Sequence, residues 1–295
     1  ILARCLLQAR AKNRIAENIG KLTVDAPIPY LLSDLTNILQ NEMGKLDKAT
    51  SSAPFMRLKS KIDELKADPR YNFMFSGLLV GDTMADFIGK IFRLPSHGKP
   101  ISIIDVSGVP SDITSTVVAV LSRLVFDYAI WSRNEAQRPI LLVCEEAHRY
   151  IPSDRVFKNS AVRSILERIA KEGRKYGVSL GLIPQRPSDL AEGVLSQCGT
   201  IISMRLNNER DQAFVRAAMP EGARGFLDAV PALRNRECII CGEGVSIPIR
   251  VSLDHLEADK RPASEDPLFS ALWRETGGEA EMLDRVVRRW RAQGR

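Results

Sequence analysis

Between residues 99 and 256, short apolar runs alternate with segments of helical periodicity, and this alternation restricts the fold more than any other feature of the chain. Residues 101–106, 140–144, 178–183 and 200–206 read as strands. Residues 113–131, with Asp112 placed to cap them, and residues 155–176 read as helices. Residues 238–241 and 247–251 read as a closing hairpin with its turn at 242–244. Nearly continuous apolar strands separated by helices predict an α/β sheet buried on both faces.

On either side the pattern changes. Residues 1–95 are mostly helical and strongly charged, with Leu31, Leu35, Ile38 and Leu39, then Leu58, Ile62 and Leu65, at helical spacing. Pro27, Pro29, Pro54 and Pro69 punctuate this region. The run Phe73-Met74-Phe75 is followed by Gly77, and Phe87-Ile88 by Gly89-Lys90. A Pro-containing linker begins near Asp259 and leads to a helix ending in Arg285, Arg288, Arg289 and Arg291, read as a solvated basic tail. The expected organisation is a helical region over 1–95, an α/β core over 96–258 and a linker with a basic helix over 259–295. Nothing repeats internally.

The sharpest motif is Ile140-Leu141-Leu142-Val143-Cys144-Glu145-Glu146-Ala147-His148. An apolar strand delivers two adjacent acids to its carboxyl end, the edge at which open α/β sheets bind ligands. Adjacent acids there suit nucleoside triphosphate hydrolysis. Glu145 can hold the water shell of a magnesium ion, and Glu146 can orient and deprotonate the attacking water. A strand ending in a solvated acidic turn is the simpler alternative. The run Glu172-Gly173-Arg174-Lys175-Tyr176-Gly177 leads into the next strand, and Pro184-Gln185-Arg186-Pro187-Ser188-Asp189 follows it. Gln185 therefore stands where a polar side chain can sense a terminal phosphate. Ser188 or Asp189 is expected to cap the following helix, with Glu192 completing a box with Asp189.

These motifs, with Leu195-Ser196-Gln197-Cys198 and Met204-Arg205-Leu206 after them, resemble the HerA branch of the HerA/FtsK ATPases over roughly residues 96–256. The resemblance implies a RecA-like P-loop NTPase core, here its Walker B half, with a helical N-terminal region and a C-terminal helix. It also implies a homo-hexameric ring that uses ATP and Mg2+ to translocate on double-stranded DNA. In that family the acid pair is the Walker B element, Gln185 falls at a sensor position, and a basic residue beyond the acids reaches into the neighbouring site. Such a cation neutralises charge on the transferred phosphoryl group. Arg174 precedes a strand at the active edge and is the first choice, with Lys171 and Arg168 as alternatives; a solvated basic helix face accounts for the same residues.

No segment fits G-x-x-x-x-G-K-[ST]. Gly20-Lys21 is followed by Leu22, Gly89-Lys90 by Ile91, and Gly98-Lys99 by Pro100. The first residue is Ile1, so the chain is read as a fragment, a processed product or a truncated form, with the phosphate loop expected upstream. By itself it is expected not to hydrolyse ATP and to fold as an incomplete sheet. The leading function is a DNA translocase or helicase subunit, beside a nuclease or other effector in DNA end processing or antiviral defence. A ring-forming scaffold ATPase and a conjugation or secretion motor remain as alternatives.

A net charge of +6 suits a polyanionic partner but does not by itself select one. Arg133, Arg138, Arg149 and Arg155 are basic candidates for DNA contact, unranked, and 6% aromatic content supplies no obvious stacking platform. Cys238 and Cys241 have metal-like spacing without a second pair, which favours core packing. His97, His148 and His255 show no ligand spacing; His148 suits a hydrogen-bonding role beside the acids, and Asp105 the ordering of the catalytic edge or the capping of its loop. No uninterrupted apolar run approaches ~20 residues, no signal-peptide pattern occurs, and the five cysteines form no disulfide framework. A cytoplasmic protein without a membrane partner is expected.

Overall fold

The computed structural model describes residues 1–13, 19–45, 49–71, 83–109, 111–135, 138–153, 160–219, 221–261, 269–274 and 280–292. The chain divides into two units, Ile1–Trp131 with Ser160–Ile165, and Ser132–Asn159 with Leu166–Arg295. The Phe73-Met74-Phe75 run, Gly77, Arg155 and the linker prolines lie outside the described residues.

In the first unit, helices α1 (Leu2–Ala11), α2 (Leu32–Gly44) and α3 (Ala49–Ala67) enclose Cys5, Ala9, Leu35, Ile38, Leu39 and Phe55, with Leu58 and Ile62 packed against them. The helical spacing of Leu35, Ile38 and Leu39 thus forms one buried stripe, while Leu31 becomes the exposed N-cap of α2. Pro54, expected as a breaker, lies inside α3. Its position near the helix start costs one backbone hydrogen bond and leaves the longer C-terminal part intact.

After α4 (Met84–Phe92) comes α5 (Ser111–Trp131), which buries Ile113, Ala119, Ser122, Val125, Phe126 and Ala129. It begins at Ser111, so Asp112 lies within its first turn rather than at the cap. By length and composition α5 could cross a membrane. Arg123 interrupts it, however, pairing with Asp25 at 2.9 Å and Asp127 at 3.3 Å, and its fully buried Phe126 marks a face packed inside the protein.

Residues 101–106 do not form the expected strand. Ile101, Ile103 and Ile104 are 74, 89 and 47% exposed. A β-prone run becomes a strand only against a partner with a free edge, and among the described residues none pairs with it. Asp105 instead accepts the Ser107 N–H at 2.8 Å, closing a turn, and that hydrogen bond holds its carboxyl below the usual range. Asp105 caps its loop.

The second unit contains a parallel pair, β1 (Ile140–Glu145) and β2 (Val178–Ile183), aligned so that Ile140 faces Val178 and Glu145 faces Ile183. The crossover runs through α6 (Ala161–Glu172), whose Leu166 and Ile169 are buried. The helix ends at Glu172 and passes into a 3-10 turn, Gly173–Tyr176. A Cβ on the buried Gly173 would stand 2.5 Å from the Val178 carbonyl oxygen, and Gly177 has φ +75°. These two glycines let the chain reverse directly from α6 into β2. Gly173→Ala is expected to destabilise the fold by about 2 kcal/mol through overpacking; a denaturant midpoint equal to wild type would contradict this.

The second sheet is antiparallel: β3 (Thr200–Ser203), β4 (Glu237–Gly242) and β5 (Ile249–Ser252). A short helix α7 (Glu192–Leu195) lies between β2 and β3, and α8 (Glu209–Ala218) between β3 and β4. Val215 and Met219, with Val230 and Leu233, cover Ile239 and Cys241 of β4. The expected hairpin is β4–β5, with a turn longer than 242–244. Cys238 and Cys241 are both buried on β4, and three residues apart they occupy opposite faces of the strand, which suits packing rather than shared metal ligation.

One sheet buried on both faces was expected; among the described residues the strands instead divide into two sheets. Leu141 and Val143, two residues apart on one face of β1, are 64 and 48% exposed, so that face stays open. Last come α9 (Phe269–Leu272) and the basic α10 (Ala280–Ala292), whose described side chains are exposed.

Candidate functional site

Because β1 and β2 are parallel and in register, both deliver their next residues to the same edge. Glu145 ends β1 and is exposed. Glu146 leaves the strand with φ +51° and ψ +42°, a left-handed backbone that costs a non-glycine residue roughly 1 kcal/mol. Across the edge, the Gln185 Nε2 donates to Glu146 Oε1 at 2.5 Å. The other carboxylate oxygen lies 3.5 Å from His148 Nε2. His148 Nδ1 is buried without a hydrogen-bond partner among the described residues. Two side chains 39 positions apart, Glu146 and Gln185, are thereby joined.

The loops behind these residues brace one another. A 3-10 turn, Ala147–Arg149, follows Glu146, with Ala147 and Ile151 fully buried. Pro152 and Leu190 form an antiparallel bridge, Ser153 N donates to Asp189 O at 2.8 Å, and Ala191 N donates to Ile151 O at 3.0 Å. The segment just after β1 and the loop after β2 are thereby tied together by main-chain hydrogen bonds. Within the second loop the buried Ser188 N–H donates to Asp211 Oδ1 at 3.0 Å. The helix-capping roles expected of Ser188 and Asp189 are not realised. The N-cap of α7 is Ala191 with no side-chain bond, because Ser188 is turned into the interior and the Asp189 main chain is taken up by the bridge.

Arg174 was expected to precede a strand at the active edge and to reach into a neighbouring subunit's site. Its 3-10 turn precedes β2, so it stands at the amino end of the strand, and the six residues of β2, ~20 Å long, lie between it and the edge that carries Gln185. Lys171 and Arg168 lie on the last turns of α6, both exposed, and Arg168 pairs with Glu172 at 3.5 Å. None of the three is near Glu146 along this sheet.

Cysteine chemistry has no place at this edge: burial pushes the Cys144 thiol up to about 11. The Gly-Lys pairs also lack the setting of a phosphate loop. Gly20-Lys21 lies in a 3-10 turn, and Gly89-Lys90 is inside α4. His255 meets the Arg261 guanidinium at 2.6 Å. Arg133, Arg138 and Arg149 are exposed. Asp211 escaped the sequence reading, since an acid in the first turn of a helix after an Asn cap looks like an ordinary helix-end residue.

A family model described as the central domain of helicase HerA matches residues 1–125. The family signal therefore extends into the helical N-terminal region, ahead of the 96–256 span in which the motifs resemble HerA. A DNA double-strand break repair helicase HerA from Pyrococcus furiosus is 42% identical over 115 residues, 39% of this chain and 20% of that protein. The HerA helicase of Saccharolobus solfataricus is 26% identical over 278 residues, 90% of this chain and 51% of that protein. The chain spans about half or less of the length of these relatives. Among solved structures, the genome-packaging NTPase B204 of Sulfolobus turreted icosahedral virus 2 in complex with AMPPCP aligns with a TM-score of 0.39 and 14% identity, covering 59% of this chain and 93% of that one. The motifs from Glu145 to Leu206, the matched central domain and these relatives agree: the chain is similar to the HerA-type ATPases of the HerA/FtsK superfamily.

Proposed function

We propose that this chain is part of an ATP-driven translocase or helicase subunit acting on double-stranded DNA in a homo-hexameric ring. The observation that carries the proposal is the Glu146–Gln185 hydrogen bond at the shared edge of two parallel strands. Glu146 is the general base: its Oε1 is oriented by Gln185, and its carboxylate takes the proton of the attacking water. Gln185 reports the terminal phosphate to that carboxylate. Glu145, an exposed oxygen donor at the strand tip, fits the water shell of a hard cation such as Mg2+. Bound ATP and Mg2+ supply the phosphoryl group and neutralise its developing charge.

Phosphate-cradling residues come from outside these 295 residues, which contain no G-x-x-x-x-G-K-[ST] loop, so the chain alone does not turn over ATP. Arg174, distant from Glu146 along its own sheet, serves a neighbouring subunit's site, with Lys171 and Arg168 as the alternatives. Residues 96–258 carry the ATPase core, 1–95 a helical subdomain and 259–295 a linker with a basic helix. The relatives' names connect them with double-strand break repair and helicase activity. The corresponding proposal here is a cytoplasmic motor working beside a nuclease or other effector, in DNA end processing or antiviral defence.

The test is ATP turnover by the full-length protein with and without linear duplex DNA, alongside displacement of a bound protein roadblock. Duplex-stimulated turnover with displacement is expected. Turnover indifferent to DNA, without displacement, would overturn the translocase in favour of a scaffold whose nucleotide governs assembly.

A further inference from the structure

Asp211 is the third residue of α8 and only 4% exposed. An acid at that position ordinarily answers the free N–H groups and the positive end of its own helix. Here Asn208 already caps the helix, its Oδ1 accepting from Arg210 N at 2.9 Å. Asp211 Oδ1 instead reaches out of its helix to the buried Ser188 N–H at 3.0 Å. A carboxylate accepting from a main-chain donor away from water makes one of the stronger hydrogen bonds a protein offers.

Ser188 is three residues beyond Gln185, with Pro187 fixing the backbone between them. At its other end, α8 is anchored by Val215 and Met219 on Ile239 and Cys241 of β4. This buried bond thus links the loop bearing Gln185 to the helix that packs on the antiparallel sheet. The Ser153–Asp189 and Ala191–Ile151 bonds tie that same loop to the segment after Glu146. We infer that Asp211 is a positioning residue: by holding Ser188 it sets where Gln185 presents its amide, and so how Glu146 is aimed. This rests on the proposed role of the Glu146–Gln185 pair and names a residue that acts through it.

The test uses the full-length protein and five variants. Asp211→Asn keeps an oxygen acceptor in place and is expected to retain kcat within about 3-fold. Asp211→Glu keeps the charge that a helix end prefers but moves the acceptor by one methylene, and is expected to lower kcat by roughly 10-fold with KM for ATP unchanged. A helix-end role predicts the reverse ranking, and that result would overturn the inference; thermal melting of both variants checks that the fold is retained. Combining Asp211→Glu with Gln185→Ala should give turnover no lower than Gln185→Ala alone, because both changes act through one amide. Multiplied losses would also overturn it. Glu146→Gln separates the two levels: if it leaves turnover intact the acid-site reading itself falls. If it abolishes turnover while Asp211→Glu matches wild type, only the role of Asp211 falls.

Discussion

Glu146→Gln in the full-length protein is expected to lower ATP turnover by ~10²- to 10⁴-fold, the range over which a positioned general base contributes. The substitution preserves size and the left-handed backbone at this residue, and it removes only the charge and the ability to take a proton. Nucleotide affinity should therefore stay near wild type, with the loss confined to kcat. Assembly should also persist. The measurement is steady-state hydrolysis together with nucleotide titration and a sizing experiment. Turnover close to wild type would mean that water is activated elsewhere and that the Gln185 contact only tidies a strand end. The neighbouring Glu145 provides a contrast: under its proposed role beside the metal's water shell, its substitution should raise the Mg2+ concentration needed for turnover.

The largest stability effect is expected at Gly242, the last residue of β4. It pairs with Thr200 and has φ +104°, outside the range that side-chain-bearing residues adopt comfortably. A Cβ there would collide with the Gly199 carbonyl oxygen and come within 2.9 Å of Thr200 Cα. Neither atom can yield cheaply. The Gly199 carbonyl accepts the Glu243 N–H at 2.7 Å, and Thr200 Oγ1 accepts the Gly244 N–H at 2.9 Å. Gly242→Ala combines backbone strain with a main-chain clash and is expected to cost about 3 kcal/mol or more. Chemical denaturation reads it directly; a midpoint within error of wild type would contradict the close approach of β3 and β4.

The acid pair was legible because local sequence suffices to define it: an apolar run, a strand end and two carboxylates. Gln185 was legible for the same reason, two positions past a second apolar run, and the parallel register turns that shared offset into proximity. Residues 101–106 show the limit of such reasoning. Their alternation is that of a strand, but strand formation is decided by a partner, and periodicity carries no information about which edge is free. Arg174 is a different case. Its motif is plain, yet the direction of a parallel strand sends the preceding residue to the end opposite the acids, so only another polypeptide could bring it to such a site. Asp211 was hidden because its long-range bond replaces a local one that its position already explained. The N-terminal helices, read as a helical region apart from the α/β core, lie within residues 1–125, which match the HerA central-domain model.

The left-handed backbone at Glu146 sets folding and chemistry against each other at a single residue. Glycine would relax that conformation and asparagine would tolerate it better, while neither can supply a proton acceptor of the same reach and charge. A search for more heat-resistant versions of this protein that scores folding alone would therefore be drawn toward replacing Glu146, and under the role proposed for its carboxylate each gain in robustness there would come with a loss of turnover.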